Sequence, residues 1–215
     1  MGMMQSDTAS TPGIDPQRLE KELNIQNLIR SYRTRGHLEA HTNPIRPRKD
    51  RQARLDLAHH GLSESDHGFV SVTSGELQSG GLSLQDLMSL LRKIYCGKIG
   101  FEYAHMEDLQ RRDWLQRRIE SQAATPDYGL SIDAKKRILE KLNGAVIFEK
   151  FLHTKFIGQK RFSLEGGETT IAALDAAILK ASESGVQEVV IGMAHRGRLN
   201  VLANIMGKTY EEIFN

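Results

Sequence analysis

VVIGMAHRGRLNVLAN, residues 189–204, changes character twice. A β-branched apolar run ends at Ala194, His195-Arg196-Gly197-Arg198 follows, and an apolar run then resumes. EVVIGMA, 188–194, predicts a short buried strand, because it is continuous, β-branched and bounded by Gly185 and Gly197. LNVLANIMG predicts a helix behind it. Helix, strand, loop, helix is the opening of an α/β unit built on a parallel sheet. In such sheets ligands sit beyond the carboxyl ends of the strands, where residues 195–198 fall. Arginine offers a planar fork of donors to phosphate or carboxylate, and histidine a donor or a proton near neutral pH. Glycine at 197 allows a turn or a close approach. Spacing alone leaves two readings open: an anion site, or a helix start with surface charges.

Just upstream, Glu168 to Ser184 predicts a helix with Ile171, Leu174, Ile178 and Ala181 on one face, closed by Gly185. KFIGQKRFSLEGGET, 155–169, leads into it. Glycines before a helix can expose N–H groups to an anion, but Glu165 and Glu168 would repel one. No GxGxxG or GxxxxGK[ST] pattern is present, so the stretch reads as a helix start with acidic residues favoured by the dipole. SIDAKKRILEKLNG predicts a helix capped by Ser131 and ended by Asn143-Gly144.

The first 150 residues read as mostly helical. Residues 1–16 form a flexible leader rich in Ser, Thr, Gly and Pro; Gly2 and Ser6 fit a loose lipidation pattern, which is too short to outweigh a disordered start. Leu19, Leu23, Ile25, Leu28, Ile29 and Tyr32 recur at helical spacing from Gln17, with Gly36 as the stop, giving a helical arm over 17–45. IRPRKDRQAR, 45–54, is basic, but its prolines and Asp50 favour a solvated linker over an anionic docking patch. Linker and loop extend over 46–81, where His59, His60 and His67 lack the spacing of a metal site. A helical region spans 82–150. It opens with a helix capped by Ser83 and striped by Leu84, Leu87, Met88, Leu91 and Tyr95. A charged helix with Trp114, Leu115 and Ile119 comes next. Residues 151–215 are assigned to the start of an α/β domain.

The 215 residues allow a sizeable core, and a net charge of +2 gives no reason to expect nucleic acid or an anionic membrane. Cys96 is the only cysteine, which excludes an internal disulfide framework. No apolar run approaches a membrane span. There is no HExxH, and Ser163 lacks a GxSxG context.

MAHRGRLNVLAN, 193–204, together with KFIGQKRFSLEGGE, 155–168, resembles the thiamin-diphosphate-dependent first component of 2-oxoglutarate dehydrogenase complexes. LIRSYRTRGHLEAHTNPI, 28–45, is similar to that family's helical start. IYCGKIGFEYAHM and WLQRRIES are similar to its next helical region. The resemblance covers roughly residues 20–215, and the two motifs are shared with 2-oxoadipate relatives.

The resemblance implies oxidative decarboxylation of 2-oxoglutarate, with succinyl transfer to the lipoyl group of the second component, in the tricarboxylic acid cycle. It implies that His195 is catalytic and lies at the substrate, and that Arg196 contacts thiamin diphosphate. Arg198 and Asn200 share the motif without an assigned contact. A Mg²⁺ cofactor is implied too, with its ligands beyond this stretch. The fold implied is a mostly helical N-terminal region followed by the start of a parallel-sheet thiamin-diphosphate-binding domain. Implied partners are the dihydrolipoyl succinyltransferase with its lipoyl domain, and a second copy in a homodimer. Residues 1–45 suit a docking arm for that core, or equally packing on their own domain. Family members run several hundred residues longer, so the chain is expected to be an N-terminal fragment, inactive alone or serving only to dock. A bacterial cytoplasm is expected, or a mitochondrial matrix if the source is eukaryotic.

Overall fold

The computed structural model describes residues 15–46, 49, 51–77 and 80–214. The lipidation pattern and most of the leader therefore lie outside the described residues, as do three positions of the basic run. The chain divides into two compact units, one ending at Gly129 and one beginning at Leu130.

In the first unit, α1 spans Pro16–Arg35. Pro16 sits at its start, where a missing N–H does no harm, and Asp15 accepts the Gln17 N–H at 3.1 Å. Ile25, Leu28, Ile29 and Tyr32 are buried, but Leu19 and Leu23 are about half exposed, so only the later part of the expected stripe faces the core. Helix α2, Leu84–Tyr95, is capped by Ser83 as expected, with the Asp86 N–H donating at 3.1 Å. Its buried face is Leu84, Leu87, Leu91, Ile94 and Tyr95. Helix α3, Leu109–Ala123, adds Ile119 and Ala123 and leaves Trp114 exposed.

The expected linker is more than a solvated connection. Ala53, Leu55 and Leu62 are buried in the same core, and the stretch forms short 3-10 turns at Ala58–His60, Glu64–Asp66 and Thr73–Glu76. Single apolar residues in irregular chain carry no period, so sequence patterning passes over them. A small antiparallel hairpin pairs β1 (Val70–Ser71) with β2 (Leu82–Ser83), matching Val70 to Ser83 and Ser71 to Leu82. It is moored to α1 by Glu22, whose carboxylate accepts from Ser71 Oγ, Thr73 Oγ1 and the Val72 and Thr73 N–H groups. His59 and His60 stack edge to face, and among the described residues no cluster of three potential metal ligands forms.

Arg33 crosses from α1 to α3, donating from Nε to Glu120 Oε1 at 2.7 Å, while Tyr95 on α2 donates to the same oxygen at 2.6 Å. Tyr103 meets Tyr95 at 3.0 Å. Burial, then the neighbouring carboxylate, pushes the Tyr95 phenol far above its ordinary range. Cys96 ends α2 with its thiol 3.7 Å from the Gly36 carbonyl, and burial pushes its pKa up to about 11.

In the second unit, α4 runs Ile132–Lys155, capped by Ser131. It does not end at Asn143-Gly144. A side chain at 144 would place its Cβ 2.7 Å from Asn204 Oδ1, so this glycine serves a close helix approach inside α4 and terminates nothing. Helix α5, Thr169–Glu183, closes before Gly185 as expected. Arg137 of α4 grips Asp175 of α5 through Nε at 2.6 Å and Nη2 at 3.0 Å. Short helices α6 (Arg198–Asn204) and α7 (Tyr210–Phe214) complete the unit. Its core gathers Ala145, Leu164, Ile171 and Val201.

The expected buried strand at 188–194 is not formed. Residues 186–194 have no regular secondary structure and are mostly exposed, Val190 to 88%. A strand is stable only when neighbours take up its N–H and C=O groups, and among the described residues no such neighbour is present. The parallel sheet is accordingly absent among them, and the hairpin is the sole sheet there.

Candidate functional site

The two motif stretches come together in the second unit. Gly197 donates its N–H to the Phe162 carbonyl at 2.8 Å, and Arg196 Nη1 donates to the Ser163 carbonyl at 2.9 Å. Gly197 opens α6 at φ +78°, and a Cβ there would lie 2.5 Å from Leu164 Cδ1. Both the left-handed backbone and the Leu164 contact demand glycine. His195 lies beside Phe162, with ring centroids 5.2 Å apart. The side chains of His195, Arg196 and Arg198 remain exposed.

The register of this junction is set from beneath. Glu149 of α4, only 4% exposed, accepts at Oε1 from the Leu164 N–H at 3.0 Å and from Asn200 Nδ2 at 3.1 Å. Asn200 also donates to the Ala145 carbonyl at 3.0 Å and accepts from Asn204 at 2.8 Å. One buried carboxylate thus ties the 163–168 loop to α6. Its Oε2 is buried without a hydrogen-bond partner among the described residues. Sequence reasoning missed Glu149, because it lies in the part of α4 beyond Gly144. It noted Asn200 without seeing that the side chain turns inward.

A cavity of about 160 Å³ opens beside the junction, with Lys160, Arg161, His195 and Arg198 among its walls and no carboxylate lining it. Arg161 is partly committed, donating to the Leu152 and Phe156 carbonyls at the end of α4. Arg196 uses one donor on Ser163 and keeps the rest of its fork. In the glycine loop, Ser163 donates to Glu165 and the Gly166 N–H to Glu168. The loop's own acids occupy those donors, which suits the helix-start reading over a phosphate cradle. Cations, an imidazole and no nucleophile make this a place to hold an anion.

No family model matches the chain. It is 47% identical over 204 residues to a protein named multifunctional 2-oxoglutarate metabolism enzyme from Mycolicibacterium vanbaalenii, covering 93% of this chain and 16% of that one. It is 44% identical over 197 residues to the 2-oxoglutarate dehydrogenase E1 component of Cupriavidus necator, covering 90% and 20%. With the E1 component of Coxiella burnetii it shares 39% identity over 209 residues, covering 97% and 22%. The chain therefore spans 16–22% of the length of these curated relatives. At identities of 39–47% over at least 90% of its residues, the chain belongs to the 2-oxoglutarate dehydrogenase E1 family.

Proposed function

We propose that this chain contributes part of the active site of a 2-oxoglutarate dehydrogenase, which decarboxylates 2-oxoglutarate oxidatively and passes the succinyl group to the lipoyl group of the succinyltransferase component. The observation that carries the reading is the latch between 162–164 and 195–200, which holds the motif with its exposed His195, Arg196 and Arg198 against the 155–168 stretch.

A diphosphate fits the donors here: among the described residues the cavity wall is cationic and holds no carboxylate, and Arg196, outside that lining but next in sequence to His195, has donors to spare. Thiamin diphosphate, when bound, supplies the decarboxylation chemistry, with Mg²⁺ held by residues outside this stretch. Arg196 holds the anionic cofactor, and His195 meets the substrate, donating a hydrogen bond or moving a proton at its ring nitrogen. Gly197 keeps the two side chains adjacent by letting the chain turn over Leu164. In this reading 186–194 is a strand of a parallel sheet completed by residues outside this stretch.

The test is thermal unfolding of the 215-residue chain with and without thiamin diphosphate plus Mg²⁺, repeated with 2-oxoglutarate. Ligand at about a hundred times its dissociation constant adds about 2.7 kcal/mol to the folded state. A rise in Tm that Arg196→Ala removes supports the reading; a rise indifferent to that substitution sinks the assignment of Arg196.

A second reading rests on α1. Leu19 and Leu23 stay 47% and 51% exposed, so the arm keeps apolar surface for docking the succinyltransferase core.

A further inference from the structure

The first unit holds a cavity of about 450 Å³ that neither reading uses. One wall is the α1 face on which Gln26, Asn27, Arg30 and Arg33 recur at helical spacing; α3 supplies Arg112 and Gln116, one turn apart. Three guanidinium groups border one space, and Glu76 is the sole carboxylate among the lining residues.

The three differ in what already neutralises them. Arg33 is bound to Glu120 on one side and to Glu76 at 3.2 Å on the other. Arg30 has no side-chain hydrogen bond or ion pair among the described residues. The nearest carboxylate to Arg112 is Asp113, 4.0 Å away and beyond hydrogen-bond distance. Arg30 therefore borders the cavity without a carboxylate of its own, and Arg112 with only a long contact to its chain neighbour Asp113, beside a third cation that is fixed in place. The volume lies in the range of small-molecule pockets, roughly 300–1,000 Å³. Most of the lining residues are polar, and cations outnumber the single carboxylate, which suits an anionic occupant.

We propose that this cavity binds a small oxyanion, a phosphate- or carboxylate-bearing metabolite, gripped by Arg30 and Arg112, with Arg33 as a fixed third cation and the amides of Gln26, Asn27 and Gln116 completing its hydrogen bonds. The site lies in the first unit and does not depend on the function proposed for residues 195–198.

The test is isothermal titration of the whole chain at low ionic strength, with inorganic phosphate in one arm and citrate in the other. Arg30→Gln and Arg112→Gln remove one fork each from helix surfaces, and unchanged Tm without ligand shows that each variant is folded. The expected result is saturable binding of one probe or both, weakened at least tenfold by each variant. Binding of phosphate alone assigns a phosphorylated ligand, and of citrate alone a carboxylate. Absence of saturable binding in both arms overturns the proposal. So does binding that Arg196→Ala abolishes while Arg30→Gln leaves it intact, since the ion would then sit in the second unit.

Discussion

Glu149 shows how much a single side chain can organise. Its Oε1 serves two segments, and its Oε2 serves none among the described residues. Removing a buried acceptor strands its donors, and Leu164 has no other acceptor for its N–H in the junction. Glu149→Ala should therefore destabilise the second unit by about 2 kcal/mol, the scale of one or two lost charge-assisted hydrogen bonds. Glu149→Gln keeps an oxygen for the two donors and places its amide where Oε2 has nothing to lose, so it should cost less than half as much. Urea unfolding midpoints of the two variants check this; equal losses would mean that the carboxylate is filling space and not latching. His195 and Arg196 stood out in sequence as candidates, since cations gathered at the end of an apolar run suit an anion as well as a helix start. Glu149 and Asn200 were not, because a polar residue declares itself buried only through partners distant in the chain.

At the scale of elements, the helices with marked ends were readable. Ser83, Ser131 and Gly185 all do what local chemistry says they should. Gly144 misled, because a glycine admitted for close packing looks in sequence like a glycine that ends a helix. Segment 186–194 misled in a different way: its composition is that of a strand, but pairing depends on neighbours. Apolar, β-branched and unpaired, it is a template for edge-to-edge association. Val190, 88% exposed, packs on nothing that a substitution would disturb. Val190→Lys should lower concentration-dependent scattering of the chain and leave its unfolding free energy within about 0.5 kcal/mol of the parent. If light scattering does not change, association runs through another surface, with the exposed Leu19 and Leu23 on α1 the next to test.

Across the whole molecule the two units differ in the size of their apolar core, and both carry ion pairs. The first has a broad core drawn from three helices and the loops between them; the second gathers a much smaller cluster, with Arg137 and Lys141 pairing to Asp175 across α4 and α5. In Asp175 the Arg137 hydrogen bond outweighs burial and lowers the pKa from 3.8. In Glu22 burial alone would raise the pKa, but the hydrogen bonds from Ser71, Val72 and Thr73 prevail and lower it from 4.5. A carboxylate with a lowered folded pKa adds stability above its unfolded value, and that stability is lost as pH falls through the folded value. Urea midpoints should hold at neutral pH and begin to fall near pH 4.5, and Glu22→Gln should flatten the upper part of that decline. An unaltered acid limb in this variant would show that the hairpin does not depend on the ionised carboxylate.

Cys96 gives the first unit a built-in chemical probe. It is the sole thiol of the sequence, and it stands where the end of α2 meets the end of α1. Raised from 9.0 to about 11, it holds about a hundredfold less thiolate at neutral pH than an unperturbed cysteine, so reagents find it slow while the helices stay together. Because the thiol is only partly buried, its alkylation rate reads its own exposure and acidity at the α1–α2 junction, without any label added to the chain.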